Sequence, residues 1–188
     1  MAQRVCPWWM GYLLISPIRR LGSGSPERLL APYLKEGMTV LEPGPGMGFF
    51  TLPMARMVGP SGHIVVVDIQ PKMLEGLRGR AAKAGLLRRI EMRLVKPDSL
   101  GIDDLKGSVD FVLAFAMVHE LPSTENFFRE TANALKAGGK MLLSEPAGHV
   151  TPAKFGEEID VARQFGFAEQ KRPVVRRSLA AVLVKKTG

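Results

Sequence analysis

The chain has 188 residues, enough for one domain of ordinary size with a short appendage, and 46% hydrophobic against 23% charged residues excludes a disordered composition. Its net charge of +8 favours contact with phosphates or anionic surfaces without establishing either. A single cysteine, Cys6, excludes intramolecular disulfides and thiolate metal clusters, and fits a reducing cytoplasm.

In chain order, residues 1–24 stand apart: Trp8, Trp9 and Tyr12 lie in an apolar stretch that Pro7 and Pro17 interrupt and that ends in Arg19-Arg20. The stretch has no signal-peptide cleavage pattern, and the longest apolar run of the chain, residues 111–118, is far short of the roughly 20 residues of a spanning helix. Ser25 before Pro26 predicts a capped helix over 26–35. Residues 38–42 read as the first core strand, 49–58 as a helix ended by Gly59-Pro60, and 62–68 as a second, β-branched strand. Pro71 opens a helix to 84, closed by Gly85, and 89–95 reads as a third strand. The nearly all-apolar 108–117 reads as a strand buried on both faces. Ser123 caps a helix to 136, Gly138-Gly139 ends it, and 140–145 is a fifth strand. A helix over 153–165 leads to strands at 167–175 and 177–185, antiparallel to each other across a short basic turn. This alternation predicts an α/β fold, a mostly parallel sheet wound with helices.

The most informative segment is Glu42-Pro43-Gly44-Pro45-Gly46-Met47-Gly48-Phe49, where a strand turns into a helix. Glycines there let backbone approach a ligand closely, and the following helix supplies N–H groups. A dinucleotide fingerprint needs its third glycine one residue later, and no Gly-Lys-Ser/Thr ending marks a phosphate loop. Glu42 would repel a pyrophosphate but suits a ligand with positive charge. Asp68 ends the second strand, where a carboxylate can accept both ribose hydroxyls; the plainer role is capping the next helix. Asp98-Ser99 after the third strand can meet an adenine amine and ring nitrogen, or form a simple turn.

These motifs, with the run from Asp110 through His119-Glu120-Leu121 and Leu135 to Glu145, resemble the class I S-adenosylmethionine-dependent methyltransferases, closest to the small-molecule branch of methyltransferase type 11 and ubiquinone/menaquinone-biosynthesis enzymes. The resemblance implies a Rossmann-like, doubly wound seven-stranded sheet in the order 3-2-1-4-5-7-6 with strand 7 antiparallel. It covers about residues 26–186, so 25–188 forms the methyltransferase domain. It further implies S-adenosylmethionine as cofactor and S-adenosylhomocysteine as product. Glu42, Gly44 and Gly46 would hold the methionine portion, Asp68 the ribose, Asp98 and Ser99 the adenine, with Gly48 and Ile69 completing the two loops. Ala114 and Phe115 would line the channel beside the sulfonium. Proline at 43 and 45 departs from the pattern and stiffens the loop.

Methyl transfer from a sulfonium is an in-line displacement in which the protein aligns the partners and excludes water, with a base needed only when the accepting atom loses a proton. His119 is the first candidate base and Glu120 its candidate partner; a capping histidine in the turn before Pro122 is the plain alternative. Glu145 and His149 face the same cavity in this architecture, but their spacing with His119 matches no metal motif, so no metal is expected. Trp8, Trp9 and Tyr12 form a lid over the cleft, a packing strap or a membrane-surface anchor. The lid reading implies a small apolar or aromatic acceptor for a cytoplasmic monomer or homodimer. Two alternatives stay open: an RNA methyltransferase using the basic surface, for which both an Asn/Asp-Pro-Pro-Tyr motif and a catalytic cysteine are missing, and a non-catalytic S-adenosylmethionine-binding module. The basic stretch 72–89 reads as a solvated helix face. Arsenite methylation, which uses several cysteines among these relatives, is disfavoured by Cys6 alone.

Overall fold

The computed structural model describes residues 25–187; the segment carrying Trp8, Trp9 and Tyr12 lies outside them. Among the described residues seven strands form one sheet in the order β3-β2-β1-β4-β5-β7-β6. By contact density the chain divides after Val95 into two compact units.

In the first unit, Ser25 accepts the Arg28 N–H at 3.4 Å and Pro26 opens α1, Pro26–Leu30. The sequence predicts a helix to residue 35, but Pro32 has no N–H to give and its ring clashes with the carbonyl one turn back, so the helix stops early. Strands β1 (Thr39–Pro43), β2 (His63–Asp68) and β3 (Ile90–Leu94) pair in parallel. Helix α2, Thr51–Met57, starts two residues later than predicted because the glycine turn runs on through Gly48. Helix α3, Pro71–Lys83, buries the stripe Met73, Leu77 and Ala81, one residue per turn, and leaves Lys72, Arg78 and Lys83 exposed. Those three side chains of the basic stretch lie on a solvated face, whereas Arg80 and Arg89 are half-buried and donate to Met47 O and Ala55 O. Leu41, Ile64 and Leu77 are among the wholly buried side chains of this unit.

In the second unit, β4 (Val109–Phe115) and β5 (Leu135–Pro146) are parallel. Helix α4, Thr124–Ala134, is capped by Ser123, whose Oγ accepts the Asn126 N–H at 3.1 Å. β5 begins five residues before the predicted strand. Leu135 already pairs with Val109, and a register shift between Val109 and Phe111 absorbs the residues up to Lys140. Gly138, at φ 74, supplies the irregular backbone of that stretch, so the glycine pair that looks like a helix stop lies inside a strand. Helix α5, Pro152–Gln164, precedes β6 (Phe167–Lys171) and β7 (Ser178–Lys185), each antiparallel to its partner in the β5-β7-β6 run. β6 ends four residues short of prediction, ahead of Pro173, which cannot donate to a ladder. Phe111, Phe128, Phe155 and Phe167 are buried, with the rings of Phe128 and Phe167 edge-on at 6.0 Å.

No helix among the described residues is long and apolar enough to cross a membrane.

Candidate active site

In the first unit the glycine loop leaves β1 through three left-handed residues, Gly44, Gly46 and Gly48, with φ of 65°, 54° and 85°. Gly44 N–H donates to Val67 O at 2.9 Å, tying the loop to β2, and Gly48 N–H donates to Pro45 O at 3.0 Å. Their surroundings differ. Gly44 is exposed, and a Cβ on Gly46 would meet nothing within 4 Å, whereas on Gly48 it would collide with Leu77 Cδ1. Gly46 thus offers backbone outward, while Gly48 makes room for α3.

The Glu42 carboxylate is buried and accepts the Thr51 hydroxyl at 2.5 Å, which fixes one oxygen at the foot of the loop. Asp68 ends β2, is 9% exposed and accepts the Gln70 N–H at 2.9 Å through Oδ1. That bond is the local turn before α3, the plainer of its two expected roles. Ile69 beside it is half-buried.

In the second unit, Asp98 and Ser99 are exposed in a turn that Ser99 N–H closes on Lys96 O at 3.3 Å. At the end of β4, Ala114 is buried and Phe115 half-buried. Ala116 then takes φ 57°, unusual for a residue with a Cβ, and its N–H donates to Ser144 O at 2.7 Å. The bend leads into a single 3-10 turn, Val118–Glu120, that carries His119.

The hydrogen-bonding partner of His119 is Glu145, and the expected Glu120 stands beside the ring's other nitrogen. Glu145 has no exposed side-chain surface; Oε1 accepts the N–H groups of Val118 at 2.9 Å and Met117 at 3.3 Å, and Oε2 pairs with His119 Nδ1. Glu120 approaches the other nitrogen, with Oε1 3.9 Å from Nε2, too far for a hydrogen bond. A carboxylate accepting three N–H groups fixes the Nδ1–H tautomer and leaves Nε2 as the ring's basic nitrogen. The hydrogen bond to Glu145 raises the His119 pKa above the ordinary imidazole value, against the lowering effect of burial. His149 is exposed and stands edge-on to His119, ring centroids 5.6 Å apart.

Sequence reasoning misses Glu158. It lies on α5 between the buried Phe155 and Ile159, and its Oε2 is buried with no hydrogen-bond partner. Burial, reinforced by the charge of Glu145, pushes its carboxyl up to about 7, with His119 pulling the other way. The available signal was a carboxylate at helical spacing beside an apolar stripe. No group of three or more His, Cys, Asp or Glu among the described residues is arranged to hold a metal ion.

A family model described as a methyltransferase domain matches residues 34–170. The chain belongs to the class I S-adenosylmethionine-dependent methyltransferases. The chain is 32% identical over 75% of its length to an arsenite methyltransferase of Halobacterium salinarum, covering 34% of that protein. It is 28% identical over 72% of its length to a ubiquinone/menaquinone biosynthesis C-methyltransferase of Brucella canis, covering 50% of it. It therefore spans between a third and a half of these curated relatives. Among solved structures, a SAM dependent methyltransferase from Aquifex aeolicus superimposes with a TM-score of 0.84 at 23% identity, over 96% of this chain and 98% of that one.

The residues present fit the family's cofactor. The glycine loop leaves its surface open at Gly46, and the ionisable side chains at the strand ends are the carboxylates Glu42 and Asp68, which suit an amine and ribose hydroxyls and oppose a pyrophosphate.

Proposed function

We propose that this chain moves the methyl group of S-adenosylmethionine to a small acceptor whose reacting atom carries a proton, with His119 as general base. The observation that carries this reading is the pairing of a wholly buried Glu145 with His119 Nδ1. Glu145 orients the ring and stabilises the imidazolium that forms when Nε2 takes the acceptor's proton. Glu42, Gly44 and Gly46 hold the methionine portion of the cofactor, Asp68 its ribose, and Asp98 its adenine, while Ala114 and Phe115 wall the reacting end. Bound there, the cofactor supplies a methyl group on a sulfonium leaving group. The aromatic composition around Trp8, Trp9 and Tyr12 favours an aromatic or apolar acceptor.

The names of the relatives do not fix that acceptor. A soft arsenic centre is held best by thiolates, and these 188 residues carry one cysteine. The test is a screen with methyl-labelled cofactor over quinone-like phenols, small amines and RNA. Label is expected on a small acceptor, and His119→Gln should lower its transfer about 10²- to 10⁴-fold while leaving S-adenosylhomocysteine binding intact. Label on RNA alone, or full turnover by the variant, would overturn the reading.

A further inference from the structure

The turn after β3 is braced by a helix distant in sequence. Leu100 N–H donates to Glu130 Oε2 at 2.8 Å, Ser99 Oγ donates to the same oxygen at 3.3 Å, and Gly101 N–H donates to Ser99 Oγ at 3.1 Å. Glu130 is 8% exposed and lies on the face of α4 that buries Phe127, Phe128 and Thr131. A carboxylate in such surroundings is costly without hydrogen bonds, and a backbone and a hydroxyl donor of this turn supply two, both to Oε2. The bonds join two segments 30 residues apart and so hold the turn against α4.

The same bonds divide the work of Asp98 and Ser99. Ser99 is committed to bonds within the turn and to α4, its N–H on Lys96 O and its hydroxyl both donating to Glu130 and accepting from Gly101. Asp98 is the exposed carboxylate of the turn. We infer that Glu130 is the positioning residue of the adenine-recognising turn, acting through Ser99 and Leu100 to set where the Asp98 carboxylate stands. The inference rests on the cofactor reading above.

An aspartate that accepts from the exocyclic amine of adenine rejects hypoxanthine, which carries a carbonyl oxygen there. The test is calorimetric titration with S-adenosylhomocysteine and with S-inosylhomocysteine. Wild type should prefer the adenine form at least about tenfold, the scale of one lost hydrogen bond to a charged group. Glu130→Ala should bring the preference to within about twofold of unity. Glu130→Gln keeps an oxygen for Leu100 N–H and should retain most of it. Should the alanine variant not fold, Glu130→Asp, whose shorter arm falls short of Leu100, takes its place with the same expectation. A folded alanine or aspartate variant that keeps the full wild-type ratio would reduce Glu130 to a purely stabilising role and overturn the inference. Wild type binding both ligands equally would overturn it through the adenine assignment, and wild type binding neither would overturn the cofactor reading itself.

Discussion

Glu145 has no exposed surface, and N–H groups of Met117, Val118 and His119 converge on its carboxylate. His119 was legible as a histidine following a buried strand. Its partner was not, because Glu120 is adjacent in sequence whereas Glu145 is 26 residues away and is brought close by the pairing of β4 with β5, Phe115 opposite Ser144. The charges facing the ring, Glu145 first and then Glu120 and Glu158, all favour the imidazolium. Nε2 is free to accept a proton only above the raised pKa, so the single-turnover rate of methyl transfer should climb with pH through a midpoint above 6.5 and then level. Glu145→Gln removes the largest cause of the elevation and should move that midpoint to lower pH, with a lower plateau because the ring is no longer held. A rate independent of pH in both proteins would contradict the role of the pair. Glu158 escaped sequence reading for a related reason: its helix places it beside Phe155 and Ile159, but only tertiary packing removes its oxygen from water.

At the scale of elements, the glycine loop separates two requirements that one motif had merged. All three glycines are left-handed, yet Gly48 faces a packed neighbour, Leu77 of α3, where Gly46 faces open space. Gly48→Ala should therefore destabilise the fold by about 2–4 kcal/mol, combining left-handed strain with overpacking. Gly46→Ala should cost only about 1–2 kcal/mol, the strain alone. Thermal unfolding of the two variants checks this, and equal losses would contradict the division. Sequence pattern located every described strand and most helix starts, since caps such as Ser25 and Ser123 are local signals. It failed where a local signal had a tertiary answer. The Gly138-Gly139 pair looks like a helix end, but β4 recruits the backbone from Leu135 onward through a register shift that no local pattern encodes.

For the whole molecule, strand order was legible only through the family resemblance, because hydropathy shows which segments are strands and not which ones pair. The +8 charge is explained in part by geometry: Lys72, Arg78 and Lys83 cover the solvent side of α3, while Arg89 donates to Ala55 O and Arg93 pairs with Glu91. Methyl transfer by this chain requires that it bind the sulfonium cofactor, which the proposed function places at the loop after β1 and the carboxylate after β2. Calorimetric titration of the chain with S-adenosylhomocysteine tests that directly. A dissociation constant on the order of micromolar is predicted, weakened by about 1–3 kcal/mol in Asp68→Ala through lost hydrogen bonds to a charged acceptor; no binding heat from the folded wild-type chain, or an unchanged affinity in the variant, would contradict it.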